Sequence, residues 1–164
     1  MAIAYIGIGS NLGDRQANID RAILLLKEHE DIDVLAVSSM VESDFQGEGP
    51  AQDKYLNGVI KVKTVLLPLD LLSQLKMIER RLGRMKSIEN APRPMDLDIL
   101  FYDDVIIVEG KTINIPHPRL QERLFVLEPL AEIAPELVHP RFGKTVRELK
   151  EALLHANCPD SASA

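Results

Sequence analysis

The chain has one cysteine, Cys158, in 164 residues, so no internal disulfide can staple the fold, which agrees with a reducing compartment. That thiol sits in the polar stretch NCPDSASA and reads as incidental. Aromatic residues make up 4% of the chain, too few for a sheet that stacks RNA bases on exposed rings. Positive charge is also in deficit. The 19 Lys and Arg against 25 Asp and Glu give a formal net charge of −6, where a general nucleic-acid binder needs a basic field. No apolar run approaches the length of a bilayer crossing. The opening MAIAYIGIGSN is apolar, but no basic segment precedes it and Gly, Ser and Asn soon interrupt it, so it is not read as a signal peptide. The expectation is a cytoplasmic monomer with no nucleic-acid or membrane partner.

What remains is the composition of a soluble globular domain, with 46% hydrophobic and 27% charged residues. A chain of this length can enclose one sizeable core, so residues 1–156 are expected to form a single domain, followed by a polar tail over 157–164. AIAYIGIG predicts a first strand, SNLGD a turn with Asp14 as N-cap, and residues 15–29 a helix with Ile19, Ile23 and Leu26 at helical spacing. Residues 32–41 and 55–66 are rich in β-branched residues and predict two more strands. In the second, Lys61 and Lys63 alternate with Ile60 and Val62, which suggests one wet face. The connection over 42–54 is longer than structural loops usually are and is expected to border a site. PLDLLSQLKMIERRLG (68–83) predicts a helix opened by Pro68 and ended by Gly83. MDLDILFY is then a strand, VIIV and INIP are short hairpin strands, and the remainder is largely helical, interrupted by Pro129, Pro135 and Pro140. Strand, helix, strand, strand, helix, strand is the order of a ferredoxin-like α+β fold, an antiparallel sheet with packed helices, here with an added C-terminal helical part.

The informative stretch is APRPMDLDIL. Side chains alternate along a strand, so Asp96 and Asp98 share one face while Leu97 and Ile99 enter the other. Two carboxylates held together repel unless solvent, a proton, an Arg or Lys, or a divalent cation intervenes. Paired hard oxygen ligands suit Mg²⁺, which takes a few carboxylates together with phosphate oxygens and water. A solvent-facing strand edge with two incidental acids is the plainer reading. Against it stands the basic stretch from Lys76 to Arg93, with Lys76, Arg80, Arg81, Arg84, Lys86 and Arg93 against Glu79 and Glu89. Mg²⁺ with a polyphosphate satisfies both signs of charge, though a salt-bridge cluster is the alternative. IPHPRLQERLFVL adds His117 in a rigid turn, with Arg119 and Arg123 one helical step apart. His29, His139 and His155 are read as surface or packing residues.

The sequence resembles the 6-hydroxymethyl-7,8-dihydropterin pyrophosphokinase family. The resemblance runs from the first strand to about residue 140 and is carried by AYIGIGSNLGDR, YLNGV, PRPMDLDIL and IPHPRLQERLFVLEPLAEIAPEL. It implies transfer of the terminal diphosphate of ATP to the pterin hydroxymethyl group, with release of AMP, on a ferredoxin-like fold. By matching positions it implies that Asp96 and Asp98 hold two Mg²⁺ ions. It further implies that Arg84, Arg93, His117 and Arg123 meet the ATP phosphates and take part in catalysis, that Ile99 belongs to the ATP site, and that Tyr55, Asn57 and Phe125 form the pterin site. Such chemistry needs no protein nucleophile; the substrate oxygen attacks the β-phosphorus in line, and the protein positions groups and neutralises charge. Two departures stand out. Asn90 and Ala91 replace the aromatic and glycine usual before Pro-Arg, and the 42–54 loop lacks its usual proline-bearing segment, leaving Phe45 as its aromatic.

Two other classes are weighed. Gly7-x-Gly9-x-x-x-Gly13 after a strand is a loose dinucleotide-binding fingerprint, but that fold needs parallel crossovers, which the hairpin-like second half lacks. A non-catalytic ferredoxin-like ligand-binding module would have no use for the paired aspartates.

Overall fold

The structure is a computed structural model, and it describes residues 1–44, 54–83 and 95–156. Its main sheet is antiparallel. Strand β1 (Ala2–Ser10) leads into helix α1 (Arg15–Glu28), then β2 (Ile32–Val37), β3 (Val41–Ser43), β4 (Tyr55–Thr64), helix α2 (Pro68–Arg81) and β5 (Asp96–Tyr102). The strands lie in the order β2-β4-β1-β5, with β3 extending the pairing of β4, which is the ferredoxin-like arrangement expected. A separate hairpin pairs β6 (Ile107–Glu109) with β7 (Ile113–Ile115), and helices α3 (Leu124–Ile133) and α4 (Val146–Ala156) follow.

Both early helices form where their end signals predict. Asp14 caps α1 by accepting from the Ala17 N–H at 3.0 Å. Pro68 opens α2, which stops at Arg81, and Gly83 follows with φ +97, a left-handed value that glycine adopts without steric cost. The opening of α4 carries a reciprocal cap between Thr145 and Glu148, each accepting from the other's main-chain N–H. Pro129 does not interrupt α3 but lies within it; the breaks fall at Ala134–Pro135 and beyond.

The expected strand over 32–41 is two strands. Its bend has a tertiary cause. The Ser38 hydroxyl takes the Val59 N–H at 2.8 Å, and the Ser39 N–H and hydroxyl both donate to the Glu132 carboxylate on α3. The Ser38 N–H keeps its bond to the Val59 carbonyl at 2.9 Å, but side chains take the Val59 and Ser39 N–H groups, and pairing resumes at Val41 against Asn57. The wet face expected for β4 is confined to its end. Lys63 is exposed, but Val59 and Ile60 are buried, because the sheet is packed on both sides there.

One face of the sheet carries the larger core, where Ala4, Ile6 and Ile8 of β1, Ile60 and Val62 of β4 and Leu97 and Ile99 of β5 meet Ile19, Leu26, Leu71 and Leu75 of α1 and α2. The other face is divided. Tyr5, Val59, Leu100 and Phe101 pack under Leu127, Leu130, Val146 and Leu149 of α3 and α4. A bulge in the β1–β5 register, which steps from Ile6↔Ile99 to Tyr5↔Phe101, turns Leu100 and Phe101 to the same side and feeds this second core. His139 is buried here, stacked on Phe142 and edge-on to Phe101. The remainder of that face, towards the far end of β1, is left uncovered by α3 and α4 and holds the candidate site.

Candidate active site

Register explains why three strands converge on one trough. Directly paired residues of an antiparallel ladder project to the same side, and Gly9 of β1 is paired with Asn57 on one flank and Asp96 on the other, while Gly7 faces Val59 and Asp98. The central strand therefore contributes no side chain between the amide and the aspartates. A cavity of about 200 Å³ opens there, walled by Tyr55, Asn57, Asp96, Asp98, His117, Arg123 and Phe125. A Cβ on Gly9 would stand 3.1 Å from Asn57 Oδ1, and one on Gly7 3.3 Å from Leu100. Glycine here keeps the floor low, which is a different use from the dinucleotide turn.

The structure brings seven of the sequence-expected residues to this cavity. Asn57 is held by its amide nitrogen, which donates to the Ser43 hydroxyl at 2.8 Å and the Val41 carbonyl at 3.3 Å. Tyr55 and Phe125 present half-buried rings. Ile99 does not join them, since its side chain is 5% exposed and packs into the core beneath α1 and α2. Arg84 and Arg93, with Phe45, Asn90, Ala91 and the tail over 157–164, lie outside the described residues. Ser43, Asp44 and Val126 also line the wall; the only sequence signal for them was that Ser43 and Asp44 belong to the long connection over 42–54 and that Val126 follows Phe125.

The electrostatics follow from the crowding of charge. Burial, and next the Asp96 carboxylate, push Asp98 up to about 7. His117 is pushed down to about 4, chiefly by burial and then by the Arg123 guanidinium. It is neutral at physiological pH, and its Nδ1 accepts the Arg119 N–H at 3.2 Å, so the ring proton belongs on Nε2. Arg123 stands over the Phe125 ring, 5.7 Å from Cζ to centroid. Its Nε is buried without a hydrogen-bond partner, a costly arrangement for a charged group until an acceptor arrives.

These residues fit a hard divalent cation. Burial, with the same-face Asp96 carboxylate second, raises Asp98, and among the described residues no cluster of three or more acidic, His or Cys side chains forms a closed metal cage. An open pair of carboxylates is how Mg²⁺ is commonly bound when phosphates complete its shell.

A pH prediction follows. A raised Asp98 adds stability below its unfolded value of 3.8 and loses it as pH climbs through about 7. The lowered His117 works in the opposite direction over 6.5 to 4, so the two offset each other in the wild type. In EDTA, Asp98→Asn should therefore gain stability relative to wild type as pH rises across that window, and Mg²⁺ should restore the wild type at the upper end. Thermal denaturation of both proteins from acid to neutral pH checks it; parallel curves would contradict the assignment.

The trough sets paired hard carboxylates beside a half-buried arginine and two rings on an α+β fold, a lining with the chemistry to receive a flat ligand that carries phosphate groups. The family model for 7,8-dihydro-6-hydroxymethylpterin-pyrophosphokinase matches residues 5–135, and the chain belongs to that family. The 2-amino-4-hydroxy-6-hydroxymethyldihydropteridine pyrophosphokinase of Aquifex aeolicus is 41% identical over 150 residues, which cover 92% of this chain and 91% of that protein. The enzyme of the same name from Bacillus subtilis is 45% identical, covering 82% and 80%. The folic acid synthesis protein fol1 of Schizosaccharomyces pombe is 42% identical over 92% of this chain, which spans only 20% of that longer protein. Among solved structures, the Plasmodium falciparum HPPK-DHPS with pteroate superposes with a TM-score of 0.74 at 15% identity, covering 99% of this chain and 46% of that one. That likeness shows the shared fold. No helix of the described residues is long and apolar enough to cross a membrane.

Proposed function

We propose that this chain transfers diphosphate from ATP to 6-hydroxymethyl-7,8-dihydropterin, releasing AMP, in folate biosynthesis. Membership of the pyrophosphokinase family supports the activity, and the single observation in the molecule that carries it is the common face shared by Asn57, Gly9, Asp96 and Asp98. The pterin lies on the Tyr55, Asn57 and Phe125 side, where two rings suit a flat heterocycle and the Asn57 amide meets its polar edge. The triphosphate lies on the Asp96, Asp98, His117 and Arg123 side.

Asp96 and Asp98 would hold two Mg²⁺ ions, which when bound neutralise phosphate charge and acidify the attacking hydroxyl. The remaining work falls to the chain's own groups. Arg123 offers its unpartnered Nε and the rest of its fork to phosphate oxygens as they gain charge. His117 is neutral, and with Nδ1 accepting the Arg119 N–H it donates from Nε2. Arg84 and Arg93 supply further positive charge, and any contact of Ile99 with the nucleotide is through its main chain. No residue acts as a nucleophile; the work is alignment of the pterin oxygen with the β-phosphorus. The protein acts as a cytoplasmic monomer on its two small substrates, without nucleic acid or membrane, in keeping with its net charge of −6.

The test is substrate and metal dependence. ATP consumption should require the hydroxymethyl dihydropterin and Mg²⁺ together, and EDTA should abolish it. ATP turnover of equal rate without pterin would sink the reading, and so would turnover in EDTA.

A further inference from the structure

We propose that Lys76 and Glu79 of α2 are positioning residues that set the geometry of the Asp96–Asp98 pair by clamping the main chain of the residue between them. The proposal rests on the reading of that pair as a cation site. Strand β5 is the last strand of the sheet order, and the outward N–H and C=O groups of an edge strand need partners from elsewhere. Leu97 finds both on α2. Its N–H donates to Glu79 Oε2 at 3.0 Å, and its carbonyl accepts from Lys76 Nζ at 3.0 Å. The two side chains also pair with each other, Lys76 Nζ donating to Glu79 Oε2 at 2.9 Å. One residue of main chain is thus held at both polar groups by a single ion pair, with an aspartate on either side of it.

The burial is unequal, and this argues for placement over stability. Glu79 is 1% exposed, whereas Lys76 is 35% exposed and lies 3.8 Å from Asp98 Oδ1. A carboxylate taken fully out of water beside two others adds to the negative charge already crowded there, and Glu79 is among the charges that raise Asp98. Buried ion pairs often contribute little net stability compared with apolar residues of the same volume. What this pair does supply is a fixed register for Leu97, and through it a fixed separation of the two carboxylates. Partners of this outer kind orient the groups that touch a metal.

The variant that separates placement from charge is Lys76→Met with Glu79→Leu. It removes one positive and one negative charge, so net charge near the site is unchanged and a shift in cation affinity reads geometry. With Mn²⁺ as the probe, titrated by electron paramagnetic resonance without nucleotide, the double variant should stay folded, at a melting temperature lowered by the Leu97 N–H and carbonyl left without these partners, while its affinity falls about tenfold or more. Glu79→Gln retains an acceptor for the Leu97 N–H and should hold Mn²⁺ within about threefold of wild type if the clamp, rather than the charge, matters. Wild-type affinity in the double variant overturns the clamp and leaves the cation site standing. Equal losses in Glu79→Gln and the double variant also overturn it. Absence of Mn²⁺ binding by the wild type overturns the cation site and the clamp with it. Should the double variant fail to fold, hydrogen exchange at the Leu97 amide in Glu79→Gln decides: protection retained supports the clamp, and protection lost overturns it.

Discussion

Asp98→Asn should fold as well as the wild type and lose nearly all turnover. The carboxylate sits on the trough side of β5, paired in register with Gly7, so its removal opens no core cavity. It is also the group whose ionised form the site resists, raised to about 7 by burial and by Asp96. A neutral amide there relieves repulsion, and the metal-free variant should be at least as stable as wild type at neutral pH. Catalysis responds in the opposite direction. A cation that stabilises the transferring phosphates contributes several kcal/mol, and at about 1.4 kcal/mol per decade its loss lowers kcat/KM by about a thousandfold. Steady-state kinetics and circular dichroism on the same preparation check both halves. An unfolded Asp98→Asn would instead make the aspartate a structural residue.

Arg123→Ala has the second largest expected effect. The guanidinium closes the cavity wall at the entrance to α3, and its Nε is buried with no partner. Burial weakens its hold on its proton, and the neighbouring Arg119 adds to this, so the protein maintains this cation against its own solvation cost. Groups held in that way commonly serve charge that develops during reaction, and removal of one such donor costs about 10²–10³ in kcat. The stability cost should be small, because what is lost in the metal-free protein is chiefly the contact with the Phe125 ring, about 0.5–1 kcal/mol. Arg123→Lys should recover little, since an ammonium can neither present the planar fork nor stack in the same way. Recovery to near wild-type kcat by lysine would reduce Arg123 to a point charge.

Much of the architecture could be read from periodicity. The alternation of Asp96, Leu97, Asp98 and Ile99 placed two carboxylates on one face, and the structure puts the two apolar side chains into the core opposite. Helices α1 and α2 followed from spacing and end signals, and the element order carried the ferredoxin-like sheet. What escaped is what depends on partners distant in sequence. The break at Ser38 and Ser39 is made by Val59 and by Glu132, the latter 93 residues away. The bulge beside Leu100 reverses the alternation expected along MDLDILFY, and only the packing of Leu100 and Phe101 under α3 and α4 accounts for it. Lys76 and Glu79 read as members of the basic stretch from Lys76 to Arg93, although their i, i+3 spacing was a legible hint of pairing. That Glu79 is buried follows from where α2 meets β5, which no local pattern records.

The central claim is tested most directly by the identity of the products. With ATP, Mg²⁺ and 6-hydroxymethyl-7,8-dihydropterin, phosphorus NMR of the reaction should show AMP and a pterin diphosphate rising in equal amounts, with ADP absent. ADP together with a pterin monophosphate would contradict the account, because attack would then have fallen on the terminal phosphorus and not on the β-phosphorus that the trough is held to align.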